Sequence, residues 1–199
     1  MITISFTDSG IIRELSEIGA RVRRPAALLK VLGRKANSEL KSHFRRRNRV
    51  PNRLGGRRTN YWRRVADSVN SPVVEGATRV RVAITEPTFA HKVRGGLITP
   101  KRARFLTVPV DKEAHGRTVA VFQRETGIRL FRLRRRGGGL SNLLAGVVSE
   151  GRVKVFYVLL SSVNQEPDRE ALPPRSYMES VIVITARSYL DRELLNRLA

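Results

Sequence analysis

Residues 2–6 alternate Ile2, Ile4 and Phe6 with Thr3 and Ser5, the period of a short half-buried strand. Asp8 or Ser9 can cap a short helix with apolar positions Ile11, Ile12, Leu15 and Ile18. Arg21, Arg23 and Arg24 crowd its end, where cations suit the helix dipole. Pro25 fits the first turn of a second, longer helix. Leu28, Leu29, Leu32, Ala36, Leu40 and Phe44 keep an i, i+4 stripe along it, so one face packs on a core. From 45 to 60 the period is lost in a stretch with a Pro and a Gly pair, which predicts a long basic loop or arm.

Tyr61, Trp62, Val65 and Val69 begin a short amphipathic helix that returns the chain to the core. Beyond it the period falls to two. Val80, Val82 and Ile84 alternate with Arg79, Arg81 and Ala83, and segments 89–93, 105–110, 119–122, 128–133 and 153–160 read as further strands. The run RRRGGG at 134–139 marks a basic, flexible hairpin tip or lid. Pro174 can start a last helix through Tyr177, Val181, Ile184 and Ser188 to Leu195, although the β-branched run 181–185 also fits a buried strand. The expectation is a single α+β domain over 1–199: two N-terminal helices and a C-terminal helix packed on an antiparallel β-sheet, with long basic loops. Residues 115–151 read as an insertion-like β/loop region with a basic tip at 129–139.

Composition changes this picture mainly through charge. The chain carries 39 Lys+Arg against 17 Asp+Glu over 199 residues, a net +22, and no cysteine. Zero cysteines exclude a disulfide framework, a thiolate metal site and a cysteine nucleophile. Residues 1–8 lack a basic, then apolar, leader pattern, so no secretory signal is expected. The most apolar stretch, 153–163, is far shorter than the roughly 20 residues that cross a bilayer; no membrane association is expected.

Conventional chemistry finds little footing. His43, His91 and His115 are too scattered for a helical pair of imidazole ligands, and His91, in the expected strand FAHKV, reads as a structural hydrogen-bonding residue. The i, i+2 carboxylates Asp111 and Glu113, and Glu166, Asp168 and Glu170, have a spacing shared by Mg²⁺ sites and by ordinary solvated loops. No serine elbow and no phosphate-cradling glycine loop is present. The expectation is no catalytic residue, no cofactor and no metal; the rival enzyme reading is a nuclease using those carboxylates.

The basic residues do cluster. Lys41, Arg45, Arg46, Arg47, Arg49, Arg53, Arg57, Arg58, Arg63 and Arg64 lie between Glu39 and Asp67 with no acid among them. Lys92, Arg94, Lys101, Arg102 and Arg104 form a second group, and Arg129, Arg132, Arg134, Arg135 and Arg136 a third. Arginine dominates, which favours bidentate contact with phosphate or carboxylate. The clusters read either as contacts for a polyanion met without sequence specificity, or as a solvated face or an interface to acidic neighbours. Tyr61 and Trp62 beside Arg63 and Arg64 read either as a base-stacking pair or as a core anchor.

The order of parts resembles the bacteriophage tail-completion and virion-morphogenesis proteins, small minor tail proteins of the head–tail junction. A short strand ends in an acidic cap (ITISFTD), two helices follow, then a basic Gly-containing loop. The segment HKVRGGLITPKRARFLTVP at 91–109 looks like that family's hairpin, through His91, Gly95, Gly96, Ile98, Pro100, Lys101, Leu106 and Pro109. Arg175-Ser-Tyr-Met resembles the lead-in to its last helix, with Ser176 in place of a proline. The resemblance implies a non-enzymatic structural protein of the virion tail or neck, assembled in the host cytoplasm into a homo-oligomeric ring, a hexamer in the common case. It implies head connector or adaptor and tail terminator or tail tube proteins as neighbours, and double-stranded DNA in the lumen. The loop around Arg45, Arg46, Arg47, Arg49, Arg53, Arg57 and Arg58 and the tip around Arg132, Arg134, Arg135 and Arg136 are then expected to face DNA or to grip adjacent rings. The alternative is a non-specific nucleic-acid-binding protein acting as a monomer or small oligomer.

Overall fold

The computed structural model describes residues 2–3, 25–52, 54–56, 58–76 and 78–198. The first expected helix (Ile11, Ile12, Leu15 and Ile18), its cap at Asp8 or Ser9, the strand positions Ile4 and Phe6, and Arg53 and Arg57 lie outside them. Helices are mixed with antiparallel strands. The described residues group into two compact units where the apolar pattern predicts one domain over 1–199. One draws on Met1–Arg49, Tyr61–Arg94 and Pro167–Ala199, the other on Val50–Asn60 and Gly95–Glu166.

Two stripes of four-residue spacing build the core of the first unit. Leu28, Leu32, Ala36, Leu40 and Phe44 are the buried face of the helix Pro25–Arg47, and Met178, Ile182 and Ala186 that of the helix Arg175–Leu198. Rows of i±4 side chains interdigitate well between helices. The β-branched run 181–185 is helical because Ile182 completes this stripe, and its hydroxyl neighbour is self-satisfied: Thr185 Oγ1 donates to Val181 O at 2.7 Å. Val65, Ala66 and Val69 of the Tyr61–Asp67 helix and its exit join the same core, with Val82 and Ile84. A hairpin of Val73–Glu75 and Arg79–Arg81 lies beside the long helix, and Ala83–Ile84 pairs with Ile2–Thr3.

Segment 89–93 is a helix rather than the expected strand, spanning Phe89–Arg94. Phe89 N donates to Glu86 O and Lys92 N to Thr88 O, closing a turn after Pro87. Phe89 is then buried with its ring edge-on to Phe44, centroids 5.3 Å apart. Phe89 and Val93, four residues apart, fit either period, and this packing decides. The expected loop 45–60 also starts later. The long helix runs through Arg45, Arg46 and Arg47, because arginine is a good helix former and three cations suit a helix C-terminus. The following loop is folded by Asn52, whose Oδ1 accepts from Leu54 N and whose Nδ2 donates to Gly56 O.

The second unit is a four-stranded antiparallel sheet, in spatial order Leu106–Pro109, Val153–Leu160, Leu140–Val147, Leu130–Arg134. A separate pair joins Gly96–Ile98 to Val163–Gln165. The helix packed on the large sheet is Val119–Thr126, a segment whose first four residues were expected to be a strand. Thr118 caps it by accepting from Val121 N, and Gly127, at φ 71°, closes it through an N–H bond to Gln123 O. Its Phe122 meets both Phe156 and Tyr157, at 4.6 and 5.9 Å between centroids. Adjacent strand residues normally face opposite sides. Here Leu144 opposes Tyr157 while Ala145 opposes Val155, so Phe156 is the extra residue of a β-bulge and shares a face with its neighbour. Tyr157 OH donates to Arg117 O at 3.1 Å, which satisfies the one polar atom that this burial encloses. Residues 115–151, read as an insertion-like region, supply this helix and two of the four strands; the RRRGGG run is their hairpin tip.

Gly33 sits where the long helix meets the Val73–Glu75 hairpin: a Cβ there would lie 2.6 Å from Val80 Cγ2 and 2.7 Å from Pro72 Cβ. Replacing it by alanine gains about 1 kcal/mol of helix propensity but forces an overpacking cost of about 1–3 kcal/mol. Gly33→Ala is therefore expected to lower stability by about 1 kcal/mol in urea unfolding; a rise would show that the hairpin yields freely.

Candidate functional site

The surface charge of this chain is organised by where its few carboxylates go. Asp168 and Glu170 both turn to Arg47: Nη2 lies 2.9 Å from Asp168 Oδ2, and Nη1 donates to Glu170 Oε2 at 2.9 Å and to Glu170 O at 2.8 Å. Lys92 adds a second cation to Asp168 at 3.6 Å. The guanidinium lies over the Trp62 ring, 4.3 Å from its centroid, a cation–π arrangement. Trp62 in turn lies parallel to Phe44, centroids 6.0 Å apart. Of the two readings of Trp62, the core anchor is what the packing shows. Arg47 was expected to face DNA or a partner; instead it pins the 168–170 loop to the end of the long helix, with only 21% of its side chain exposed.

The other acidic pair behaves alike. Lys154 Nζ lies 2.9 Å from Asp111 Oδ2 and 3.3 Å from Glu113 Oε1. Both i, i+2 pairs considered as magnesium ligands thus hold structural cations. Among the described residues there is no group of three or more His, Asp or Glu arranged to hold a metal ion, and no helix long and apolar enough to cross a membrane. Arg117 bonds Glu125 and the Glu113 carbonyl. Arg132, a second expected outward arginine, is half-buried: its Nε donates to Ser141 O at 2.8 Å, and its guanidinium lies 5.6 Å from the Phe105 centroid.

Several of the expected arginines are exposed. Arg45 and Arg46 occupy the last turn of the long helix, and Arg49 and Arg58 are exposed beyond it. Arg134, Arg135 and Arg136 crown the hairpin between Leu130–Arg134 and Leu140–Val147. Its turn is closed by Arg135 N to Gly139 O, and Gly138 and Gly139 hold the positive φ values that it needs. Among the described residues no carboxylate makes an ion pair with Arg45, Arg46, Arg134, Arg135 or Arg136.

The residues of the 91–109 motif are divided between the two units. His91 lies on the Phe89–Arg94 helix, and its Nε2 is enclosed without a hydrogen-bond partner among the described residues, contrary to the hydrogen-bonding role expected of it. Gly95 and Gly96, at φ 70° and 123°, lead from that helix into the strand Gly96–Ile98. Pro100 and Lys101 line a surface cavity, and Pro109 opposes Tyr157 on the sheet. Arg175 opens the C-terminal helix and pairs with Glu179 one turn on.

Two structural partners escaped the sequence reading. His43 Nε2 donates to Glu170 O at 3.0 Å, and Glu39 accepts from Tyr177 OH at 2.7 Å while pairing with Lys35. Neither is signalled by spacing, since each joins segments more than a hundred residues apart. Burial, with Arg47 and Arg46 beside it, holds the His43 imidazole below its ordinary 6.5, against the opposing pull of the Glu170 carbonyl. No family model, curated protein or solved structure matches this chain.

Two outcomes follow from this geometry. Arg47→Ala should cost about 1–3 kcal/mol in denaturant unfolding, since it leaves the mostly buried Asp168 carboxylate with Lys92 alone while the exposed Glu170 returns to water, whereas exposed Arg45→Ala should change stability by less than about 0.5 kcal/mol. Because the folded state disfavours protonated His43, the unfolded chain takes up a proton near pH 6.5 that the folded chain refuses. The stabilisation is present above that pH and declines as pH falls through it. His43→Gln should flatten this part of the stability–pH curve; an unchanged slope would remove His43 from the account.

Proposed function

We propose that this chain is a non-enzymatic structural subunit of a tailed-bacteriophage particle, assembling into a ring at the head–tail junction that joins tail to head and surrounds the DNA path. One observation carries the reading: among the cations that no carboxylate of the described residues pairs, three stand together on a hairpin tip, Arg134, Arg135 and Arg136, and two on a helix end, Arg45 and Arg46. A net +22 distributed this way repels itself and favours a polyanion or acidic neighbour, and such arginines neutralise phosphates without reading bases. The resemblance in the order of parts supplies the assembly: a closed homo-oligomer, hexameric in the common case, stacked between connector and tail proteins. Closed symmetry also covers exposed sheet edges.

Negative-stain imaging of the purified protein, with and without duplex DNA, tests this reading. Closed rings, together with separated heads and tails when the gene is deleted from its phage, are the expected result. A monomer at every concentration that nevertheless binds duplex DNA in a salt-sensitive way would favour the nucleic-acid-binding alternative. Intact infectious particles from the deletion would contradict the joining role.

A further inference from the structure

A groove in the second unit has a different chemistry from the arginine tip. It is an open cavity of about 750 Å³ whose floor is apolar, formed by Ile98, Phe105, Leu106, Val108 and Val163. Its rim carries Lys101 and Arg102, both exposed. Neither forms an ion pair among the described residues, and no acid occurs from residue 87 to residue 110.

The groove follows a strand edge. Leu106, Thr107 and Val108 all line it; successive strand residues face opposite sides, so only a groove running along the edge touches all three. Leu106–Pro109 is the outer strand of its sheet. Val110 N donates to Phe156 O at 3.0 Å, continuing the register in which Val108 opposes Val158. Main-chain groups of an antiparallel pair alternate inward and outward. Those of Leu106 and Val108 therefore turn to the neighbouring strand, and the N–H and C=O of Thr107 turn out. Pro109, the next outward position, has no N–H to offer, which ends the usable edge.

We infer that this groove takes an extended segment of a partner protein in which acidic and aliphatic residues alternate. Its main chain pairs with Thr107, its aliphatic side chains cover the apolar floor, and its carboxylates meet Lys101 and Arg102. Strand addition to a sheet edge draws affinity from the main chain and specificity from alternate side chains. Charge selects the occupant. The i, i+2 acids of this chain enclose Lys112, Pro167, Arg169 and Arg192, so a second copy offers no segment in which acids alternate with aliphatic residues, and duplex DNA has nothing to place on an aliphatic floor. The inference does not depend on the ring.

The test uses the full-length protein and fluorescence polarisation with a labelled peptide alternating glutamate and valine, against polyglutamate of equal charge and a short DNA duplex. The alternating peptide should bind at least about tenfold more tightly than polyglutamate. Lys101→Glu with Arg102→Glu should remove that preference, whereas Lys30→Glu with Arg34→Glu, an equal charge change on the exposed face of the Pro25–Arg47 helix, should keep it. Thr107→Pro removes the outward N–H while sparing the hydrogen bonds to Val153–Leu160 and should weaken the peptide about tenfold, with the melting curve showing that the fold is retained. Equal binding of polyglutamate, equal loss in the Lys30/Arg34 variant, displacement of the peptide by DNA, or no binding at all would each overturn the inference.

Discussion

Scarcity of negative charge constrains this molecule more than any other feature. With 17 carboxylates for 39 cations, a fold that scattered its acids over the surface would leave cations enclosed without compensation, at a cost of several kcal/mol each. Four of the acids are instead placed where chain segments distant in sequence must be held. Asp168 and Glu170 fasten the loop before the C-terminal helix to Arg47, and Asp111 and Glu113 fasten a turn to Lys154 in the sheet. Part of the surplus lies in segments that contain no acid at all: the helix end, the hairpin tip and the 101–104 segment.

The distribution separates arginines of two kinds that composition cannot tell apart. Arg47, Arg117 and Arg132 spend their donors on carbonyls and carboxylates of their own unit. Arg134, Arg135 and Arg136 stand on a glycine turn that orders the backbone while leaving the side chains exposed. The planar guanidinium serves both uses, stacking on Trp62 in one place and available for bidentate contact in the other. Charge density along the sequence is therefore a poor guide to a binding surface until the internal partners are subtracted.

Much of the fold was legible. The four-spaced stripe from Leu28 to Phe44 identifies the long helix, and strand 153–160 is continuous and β-branched enough to be unambiguous. Segments 89–93 and 119–122 failed for the same reason: short apolar runs fit either period, and tertiary packing of Phe89 and Phe122 chose the helix. The second did carry a local signal in Thr118 and Gly127, the cap residues of a one- to two-turn helix. The Arg47 knot was not legible, because its partners lie 121 and 123 residues away. Its one sequence trace is that two carboxylates at i, i+2 in so basic a chain will be drawn to a cation before a metal.

Binding of an outside polyanion by this chain requires the hairpin arginines to be free to neutralise it. The most direct measurement is the slope of log K against log salt concentration for a short DNA duplex, compared between the native chain and Arg134→Ser, Arg135→Ser, Arg136→Ser combined. Each phosphate contact contributes about 0.9 to the slope, so the account predicts a slope shallower by about 3. An unchanged slope with the fold intact would contradict it.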